Sequence, residues 1–286
     1  MPADLAPFYQ QVQAHYDLSD DFYALFLDPS MTYSCAYFAD PAMTLEQAQA
    51  AKIDLALGKL RLQPDMTVLD IGCGWGATMI RAAQQYGVRV IGLTLSRNQY
   101  DYARARIDQL GLTNAEVRLQ GWEEYTGRAD RIVSIGAFEH FRKERYPEFF
   151  ARCHAMLPTD GRMLLHSIIG LTLAELRARD LAVTRADALF HIFMKREIFP
   201  GGQLPQPTLV TGLAEAAGFH TQRIHSLRPH YARTLELWAR ALQTHREEAV
   251  RLTSEEVYAR YLKYLTGCAR YFHAGHLDVM QFTLVK

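Results

Sequence analysis

The chain of 286 residues lacks the features that mark several large classes of protein. It has no excess of either charge, since 31 Lys and Arg balance 31 Asp and Glu, and this argues against nucleic acid as the main partner. It has no apolar run of about 18 residues, so no transmembrane helix is expected. Low-complexity tracts and internal repeats are also missing. The composition therefore predicts a globular protein with a full core.

Cysteine is scarce, and its spacing excludes two kinds of site. The four cysteines are Cys35, Cys73, Cys153 and Cys268. They form no C-x-x-C pair and have no paired histidine spacing, so we expect neither a zinc site nor a disulfide framework. The first residues lack the basic start and apolar stretch of a secretory signal. We therefore expect reduced thiols, no metal and a cytoplasmic location.

Helical patterns come first along the chain, and strands follow. Residues 1–60 predict an N-terminal helical segment, in which Thr44 and Gln47 form a capping-box pattern. Strands are predicted at 67–71, 88–93, 116–120, 131–135, 162–166, 221–227 and 277–285. Helices are predicted at 97–110, 144–156, 208–217, 231–248 and 253–272. This order predicts one α/β domain over 1–286, with a mostly parallel seven-stranded sheet and helices on both faces.

One long segment interrupts this alternation. Residues 170–207 look helical and end in the sequence Ile198-Phe199-Pro200-Gly201-Gly202. An insertion that follows the carboxyl end of a strand lies over the crevice where α/β sheets bind their ligands. We therefore predict that residues 170–207 form a helical lid over a substrate.

A glycine-rich turn follows the first strand. Asp70 ends an apolar run, and Gly72, Gly74 and Gly76 follow at a spacing of two. Glycine permits a positive φ and a close approach of backbone to a ligand. The D-x-G-x-G-x-G pattern resembles the first motif of S-adenosylmethionine methyltransferases. The alternatives are a purely structural turn and a dinucleotide-binding dehydrogenase. The GxGxxG fingerprint of such a dehydrogenase is missing from this sequence.

The next two strands also end in polar residues. Generic methyltransferases hold the ribose with an acid after the second strand, but here the chain reads Thr94-Leu95-Ser96 and offers only Thr94 and Gln99 as hydrogen-bonding groups. After the third strand, Trp122 and Glu123 suit an adenine ring and its exocyclic amine, although a core aromatic is the alternative for Trp122.

A second group of polar residues follows the later strands. Glu139 and His140 end an apolar run after the fourth strand, and His166 is predicted to end the fifth. A buried carboxylate needs partners. Segments around Cys35 and Tyr231 can bring further polar groups to the same pocket.

Long strings of the sequence resemble the mycolic acid cyclopropane synthases, in the cyclopropane-fatty-acid synthase branch of class I methyltransferases with a Rossmann-like fold. The resemblance covers essentially the whole chain. Its marks are 12–20, 32–38, the glycine motif, 131–141, 197–202 and 264–268.

The resemblance implies a reaction. An acyl double bond attacks the methyl of S-adenosylmethionine, and a carbocation loses a proton as the cyclopropane ring closes. Bicarbonate is the implied base, and the implied catalytic residues are Glu139, His166, Tyr231, Cys35 and Cys268. The implied cofactor-binding residues are Tyr33, Ser34, Asp70, Gly72, Gly74, Trp75, Gly76, Thr94, Leu95, Gln99, Trp122, Glu123 and Gly136.

The substrate implied by the resemblance is a long unsaturated acyl chain on acyl carrier protein, with peripheral membrane contact as a further expectation. Aromatic rings can stabilise a nearby cation, and the candidates are Tyr16, Tyr33, Phe141, Phe199, Tyr264 and Phe272. Cys268 suits a buried structural thiol better than a nucleophile. Gly136 favours ring closure, since relatives that hydrate the cation carry an acid there. A methyl-branched, hydroxylated or unsaturated product and a binding protein without catalysis are the alternatives.

Overall fold

The computed structural model describes residues 5–7 and 18–286, and within them seven strands form one sheet. The strands are Thr67–Ile71 (β1), Arg89–Thr94 (β2), Ala115–Leu119 (β3), Arg131–Ile135 (β4), Arg162–Gly170 (β5), His220–Ser226 (β6) and Leu277–Val285 (β7). The described helices are Asp20–Ala24 (α1), Leu45–Gly58 (α2), Ala77–Gln85 (α3), Arg97–Gln109 (α4), Tyr146–Met156 (α5), Leu173–Ala178 (α6), Arg185–Phe193 (α7), Pro207–Ala216 (α8), Arg228–Thr244 (α9), Arg246–Leu252 (α10) and Glu255–Ala274 (α11).

The strand order explains where a ligand can bind. The sheet runs β3-β2-β1-β4-β5-β7-β6, and β7 lies antiparallel to both of its neighbours while the other pairs are parallel. The order reverses between β1 and β4, which leaves a crevice at the carboxyl ends of those strands. The predicted mostly parallel sheet of seven strands is confirmed.

The core divides into clusters on the two faces of the sheet and an aromatic cluster beside it. Strand residues such as Leu69 and Leu165 are fully buried in the sheet clusters. The aromatic cluster, around Trp238, also contains Trp75, Tyr231 and Cys268. This cluster therefore connects the glycine turn of the sheet to helices α9 and α11.

The capping box of α2 is confirmed, but β5 differs from its prediction. The Thr44 hydroxyl accepts from the Gln47 backbone, and the Gln47 side chain accepts from the Thr44 backbone. Strand β5 covers nine residues, not five, because β7 pairs with it along its whole length. His166 therefore lies in the middle of β5 and does not end it.

Helix boundaries near the C-terminus also differ. The helix predicted at 231–248 begins earlier, at Arg228, because Pro229 suits a first helical turn. It ends at Thr244, and α10 is a separate helix. The insertion 170–207 is only partly helical, since 199–206 contain no helix. The helical pattern predicted around Tyr16 lies outside the described residues.

None of the described helices combines the length and the apolarity that a membrane span requires.

Candidate active site

The glycine turn after β1 depends on the absence of a side chain at Gly72. Its φ is +80°, and a Cβ there would lie 2.3 Å from the Cβ of Ala137. Its N–H and that of Cys73 both donate to the Leu93 carbonyl at 2.9 Å. These hydrogen bonds attach the turn to β2, and the absence of a side chain at Gly72 lets the turn contact the segment that follows β4. It leaves room for a ligand at the edge of the sheet.

A small cavity of about 120 Å³ opens at this turn. It lies at the carboxyl ends of the strands, as predicted for the methyl donor. Ten of the thirteen predicted cofactor-binding residues line it. They are Tyr33, Ser34, Asp70, Gly72, Gly74, Trp75, Thr94, Leu95, Gln99 and Gly136.

Three predicted cofactor residues lie outside this lining. Gly76 has a φ of +91° and caps α3, so its role is in the turn itself. Trp122 is buried, and its ring packs edge-on against Phe149 at 5.3 Å. Glu123 is buried and accepts from the Arg145 guanidinium at 3.2 Å. Adenine binding by Trp122 and Glu123 stays a prediction.

Two buried ionisable side chains face the small cavity. Asp70 is 1% exposed, and burial raises the pKa of its carboxyl to about 7, against the opposing charge of Lys52. Lys52 is fully buried, and burial lowers its pKa to about 8. Its Nζ donates to the Ser34 hydroxyl at 2.8 Å. The cavity therefore presents one acid and one base that both titrate near neutral pH.

Lys52 was not identified as a site residue from the sequence, although the pattern of α2 indicates that this lysine is buried. It lies four residues from Ala48 and from Ala56, both fully buried, so it falls in the apolar stripe of α2. A lysine in such a stripe is rarely buried without a partner. Gln49 of the same helix donates to the Ser34 carbonyl at 2.8 Å. Helix α2 thus fixes the segment that carries Ser34 in the cavity wall.

A larger cavity of about 750 Å³ adjoins the small one. Its lining contains all five residues predicted as catalytic, which are Glu139, His166, Tyr231, Cys35 and Cys268. The two cavities share Tyr33, Ser34, Gly136 and His140 in their walls. His140 was not predicted as a site residue on its own, and burial lowers its pKa to about 4.

One oxygen of the Glu139 carboxylate is held by the backbone. The Ile168 N–H donates to its Oε1 at 2.5 Å. Its Oε2 is buried and has no hydrogen-bond partner among the described residues. Burial raises the pKa of this carboxyl to about 7, and the Ile168 N–H opposes that rise. Near neutral pH, Glu139 can therefore either give or take a proton.

The cysteines of the large cavity are thiols and not thiolates. Burial raises the pKa of Cys268 to about 12, and it raises that of Cys35 further still. The Cys35 Sγ donates to the Ala36 carbonyl at 3.1 Å. Because the thiolate is the nucleophilic form, neither sulfur is activated for covalent chemistry.

Aromatic rings form much of the large cavity. Four of the predicted acyl-chain contacts, Tyr33, Phe199, Tyr264 and Phe272, line it, whereas Phe141 lines the small cavity. Tyr16 lies outside the described residues. The Tyr33 hydroxyl donates to that of Tyr264 at 3.3 Å, and Phe199 packs edge-on against Tyr264 at 5.6 Å. The cavity can therefore hold an apolar chain and shield a cation from water.

Gly136 is placed between the cavities, but its amide is occupied. Its N–H donates to the His166 carbonyl at 2.9 Å, so that group is not free for an anion. The φ of Gly136 is +69°, and a Cβ there would lie 3.7 Å from that of Ser34. A larger residue would therefore combine backbone strain with a narrower passage between the cavities.

The sheet order and the glycine turn define a class I methyltransferase fold. A solved coclaurine N-methyltransferase bound to N-methylheliamine and S-adenosylhomocysteine, 21% identical, covers 97% of this chain and 82% of its own with a TM-score of 0.79. That likeness concerns the fold alone.

The family is shown by a more specific match. Residues 4–282 match the model of the mycolic acid cyclopropane synthetase family, and the chain belongs to that family. Cyclopropane mycolic acid synthase MmaA2 of Mycobacterium tuberculosis is 57% identical over 287 residues and is matched over 100% of both chains. Its solved structure has a TM-score of 0.98 and covers 99% of this chain and 100% of its own.

A second solved relative carries ligands. The mycolic acid cyclopropane synthase CmaA1, complexed with S-adenosylhomocysteine and CTAB, is 56% identical, with a TM-score of 0.96 over 99% of this chain and 100% of its own. These findings confirm the predicted family, the fold and the enzyme class, an S-adenosylmethionine-dependent enzyme of the cyclopropane synthase type.

Proposed function

We propose that this chain forms a cyclopropane ring on a double bond of a long meromycolate-type acyl chain, with S-adenosylmethionine as the source of the new carbon. The observation that carries this proposal is the contact between the two cavities. One is small and has the ionisable side chains of Asp70 and Lys52 in its wall, the other is large and aromatic, and they share four wall residues. A methyl donor in the first can therefore face a double bond in the second.

The small cavity fits the donor. Asp70 Oδ2 is buried without a hydrogen-bond partner among the described residues, which suits the ammonium of an amino acid. Lys52, through its position beside Ser34, suits the carboxylate of the same group. When bound there, S-adenosylmethionine supplies a methyl group on a positively charged sulfur.

The large cavity fits an acceptor that becomes a cation. The rings of Tyr33, Phe199 and Tyr264 exclude water and stabilise positive charge by about 0.5–2 kcal/mol for each desolvated contact. The buried thiols of Cys35 and Cys268 stay protonated, so they do not trap the cation. The chain thus protects the intermediate until a proton is lost.

Glu139, His166 and Tyr231 can hold the base that removes this proton. The orphaned Oε2 of Glu139 fits a small anion that carries a hydroxyl, and bicarbonate is such an anion. His166 and Tyr231 can donate to its oxygens. Bicarbonate held there would supply a base without exposing a nucleophilic side chain to the cation.

We further propose that the acyl chain arrives on acyl carrier protein. Lys143 and Lys195 line the large cavity, and their charge suits the phosphate of a carrier's prosthetic arm. Leu189 and Ile192 of α7 are more than half exposed, which suits peripheral contact with a membrane or a carrier. The four free cysteines suit the cytoplasm.

The insertion 170–207 is proposed as the lid of this cavity. Leu176 and Phe190 belong to it and line the large cavity. Phe190 also stacks on Tyr271 of α11, with centroids 5.0 Å apart. Movement of α7 away from α11 would therefore widen the cavity. In this proposal the lid and the sheet belong to one domain, residues 1–286.

A second product remains as the alternative. Water or a different proton loss would give a hydroxylated, branched or unsaturated chain from the same cation. Gly136 favours ring closure, because it places no acid beside the shared wall that could activate water.

The test uses purified full-length protein, methyl-labelled S-adenosylmethionine and an unsaturated acyl chain on its carrier. Ring closure predicts a gain of one CH₂, loss of the double bond and ring protons in the NMR spectrum. A labelled product that keeps the double bond or gains a hydroxyl would support the alternative product. If the labelled methyl group stays on S-adenosylmethionine with every acyl chain tested, the proposal is wrong.

A further inference from the structure

A row of polar side chains crosses the sheet beside the large cavity. The strand register pairs His166 of β5 with Gln281 of β7, and Gln281 with His225 of β6. Lys59, directly after α2, reaches the same row. Its Nζ donates to Gln281 Oε1 at 2.5 Å and lies 3.2 Å from His225 Nδ1. Gln281 Nε2 lies 3.3 Å from His166 Nδ1.

Lys59 fixes the direction of these hydrogen bonds. Burial lowers the pKa of its amine to about 8, so at neutral pH it is a cation that has only protons to donate. Gln281 must therefore turn its carbonyl oxygen toward Lys59. Its amide nitrogen, which also only donates, then faces His166. It follows that Nδ1 of His166 accepts a hydrogen bond.

The proton of His166 must then lie on the other ring nitrogen. Burial, followed by the charges of Lys52 and Lys59, holds the pKa of this imidazole well below its usual range, so the ring is neutral. A neutral imidazole has one N–H, and Nδ1 is occupied as an acceptor. His166 lines the large cavity, and Nε2 is the nitrogen left to face it.

We propose that Lys59 and Gln281 are positioning residues that hold His166 as the Nε2–H tautomer and so present a hydrogen-bond donor to the large cavity. The consequence for catalysis rests on the function proposed above. An anion accepts hydrogen bonds, and a bare Nε2 would repel it. The tautomer itself can be measured in the absence of any substrate.

The first experiment is long-range ¹H–¹⁵N NMR on the full-length, ¹⁵N-labelled protein at neutral pH. Protonated and bare imidazole nitrogens resonate far apart, and loss of signals in His166→Gln assigns the ring. The proposal predicts a bare Nδ1 and a protonated Nε2. A protonated Nδ1 in the unmodified protein would overturn it, whatever the enzyme's product.

Variants then test the role of each residue. In Gln281→Glu the carboxylate accepts from His166, so Nδ1 gains a proton while Lys59 keeps its partner. In Lys59→Met the amide is free to rotate, and both tautomers are populated. Lys59→Arg keeps a donor and restores the Nε2–H form. Lys286→Met removes a half-buried lysine after the same strand and leaves the tautomer unchanged.

Kinetic measurements distinguish a positioning role of Lys59 and Gln281 from a purely structural role. Gln281→Glu lowers kcat by roughly 10- to 100-fold, the effect of losing one hydrogen bond to a charged group. KM for S-adenosylmethionine changes less than about twofold, because the donor cavity is intact. Lys59→Arg recovers most of the kcat that Lys59→Met loses. Unchanged kcat and an unchanged tautomer in both Gln281→Glu and Lys59→Met would contradict the proposal.

Discussion

The two cavities are built in different ways. The small cavity is formed by strand ends and a glycine turn, and its charged groups, Asp70 and Lys52, are almost fully buried. The large cavity is closed on one side by the insertion 170–207, whose α7 has no fully buried residue and exposes Leu189 and Ile192. The first cavity is walled mainly by the sheet edge and contains two buried ionisable groups, and the second is a larger apolar space with one wall that is only partly buried.

Under the proposed function, each cavity holds a different kind of ligand. An amino-acid group of fixed shape is recognised by preorganised charges and backbone. A long acyl chain has few polar atoms and needs area, aromatic faces and a route of entry. Substitutions in the small cavity should therefore change donor binding and stability. Those in the large cavity should change turnover and the use of the acyl substrate.

The largest expected effect comes from Glu139. In Glu139→Gln the side chain cannot exchange a proton with the base, so kcat should fall by roughly 10²- to 10⁴-fold. Affinity for S-adenosylhomocysteine, measured by calorimetry, should stay within about twofold. Glu215→Gln, an exposed carboxylate of α8, is the control. Full activity of Glu139→Gln would remove Glu139 from the mechanism.

The next effect tests the rigidity of the small cavity. Gly72→Ala places a Cβ 2.3 Å from Ala137 at a φ of +80° and should destabilise the fold by about 2–4 kcal/mol. Gly212→Ala in α8 meets nothing within 4 Å and should be neutral or stabilising by about 0.5–1 kcal/mol. Thermal and urea unfolding measure both. Equal stability of the two variants would show that the turn tolerates a side chain.

Affinity for S-adenosylhomocysteine should depend on pH in two directions. Below the Asp70 pKa of about 7, the carboxyl is protonated and attracts the ligand's ammonium less, so affinity falls as pH falls. Above the Lys52 pKa of about 8, the amine is neutral and attracts the ligand's carboxylate less. Affinity should therefore be greatest between those values, with a slope of at most about tenfold per pH unit.

Calorimetry from pH 5.5 to 9.5 would measure this profile, the range being set at about 1.5 units beyond the two pKa values. Asp70→Asn should flatten the acid limb alone, and Lys52→Met the basic limb alone. A flat profile for the unmodified protein would contradict the assignment of these two groups.

A smaller effect is expected at Lys143 and Lys195, the two lysines that line the large cavity and that we call its mouth. The double variant Lys143→Gln, Lys195→Gln should raise KM for a carrier-bound acyl chain by about two- to tenfold, because exposed ionic contacts are weak. The increase should disappear at high salt, since ions screen such contacts. Donor KM serves as the internal control. An equal change in both KM values would argue against a carrier at this mouth.

The smallest effect is expected at Cys268. The thiol is buried with its pKa raised to about 12, so Cys268→Ala should change kcat by less than about threefold. A fall of 100-fold or more, without loss of fold, would indicate covalent chemistry at this sulfur.

Much of the small cavity could be predicted from local sequence. Short local patterns with a direct physical meaning identify it. They are the spacing of Asp70 and Gly72, the apolar strand before them and the polar segment after β2. The resemblance then placed Glu139, His166 and Tyr231 in one pocket, and all three line the same cavity. These residues are recognisable because each belongs to a continuous string of the chain.

Features that depend on distant partners were not predictable in the same way. The extension of β5 past His166 comes from pairing with β7, more than 100 residues later. Lys59 and Gln281 are far apart in sequence and become neighbours only through the sheet register and the end of α2. The apolar stripe of α2 signalled the burial of Lys52, but its partner, the Ser34 hydroxyl, is reached only in the folded chain.

The most direct test of the account is product analysis with purified enzyme, a carrier-bound chain with one cis double bond, and methyl-labelled S-adenosylmethionine. We predict one labelled CH₂ for each double bond lost, with ring protons in the NMR spectrum, and no product from Glu139→Gln above about 1% of the unmodified rate. A labelled chain that retains its double bond would contradict ring closure as the reaction of this site.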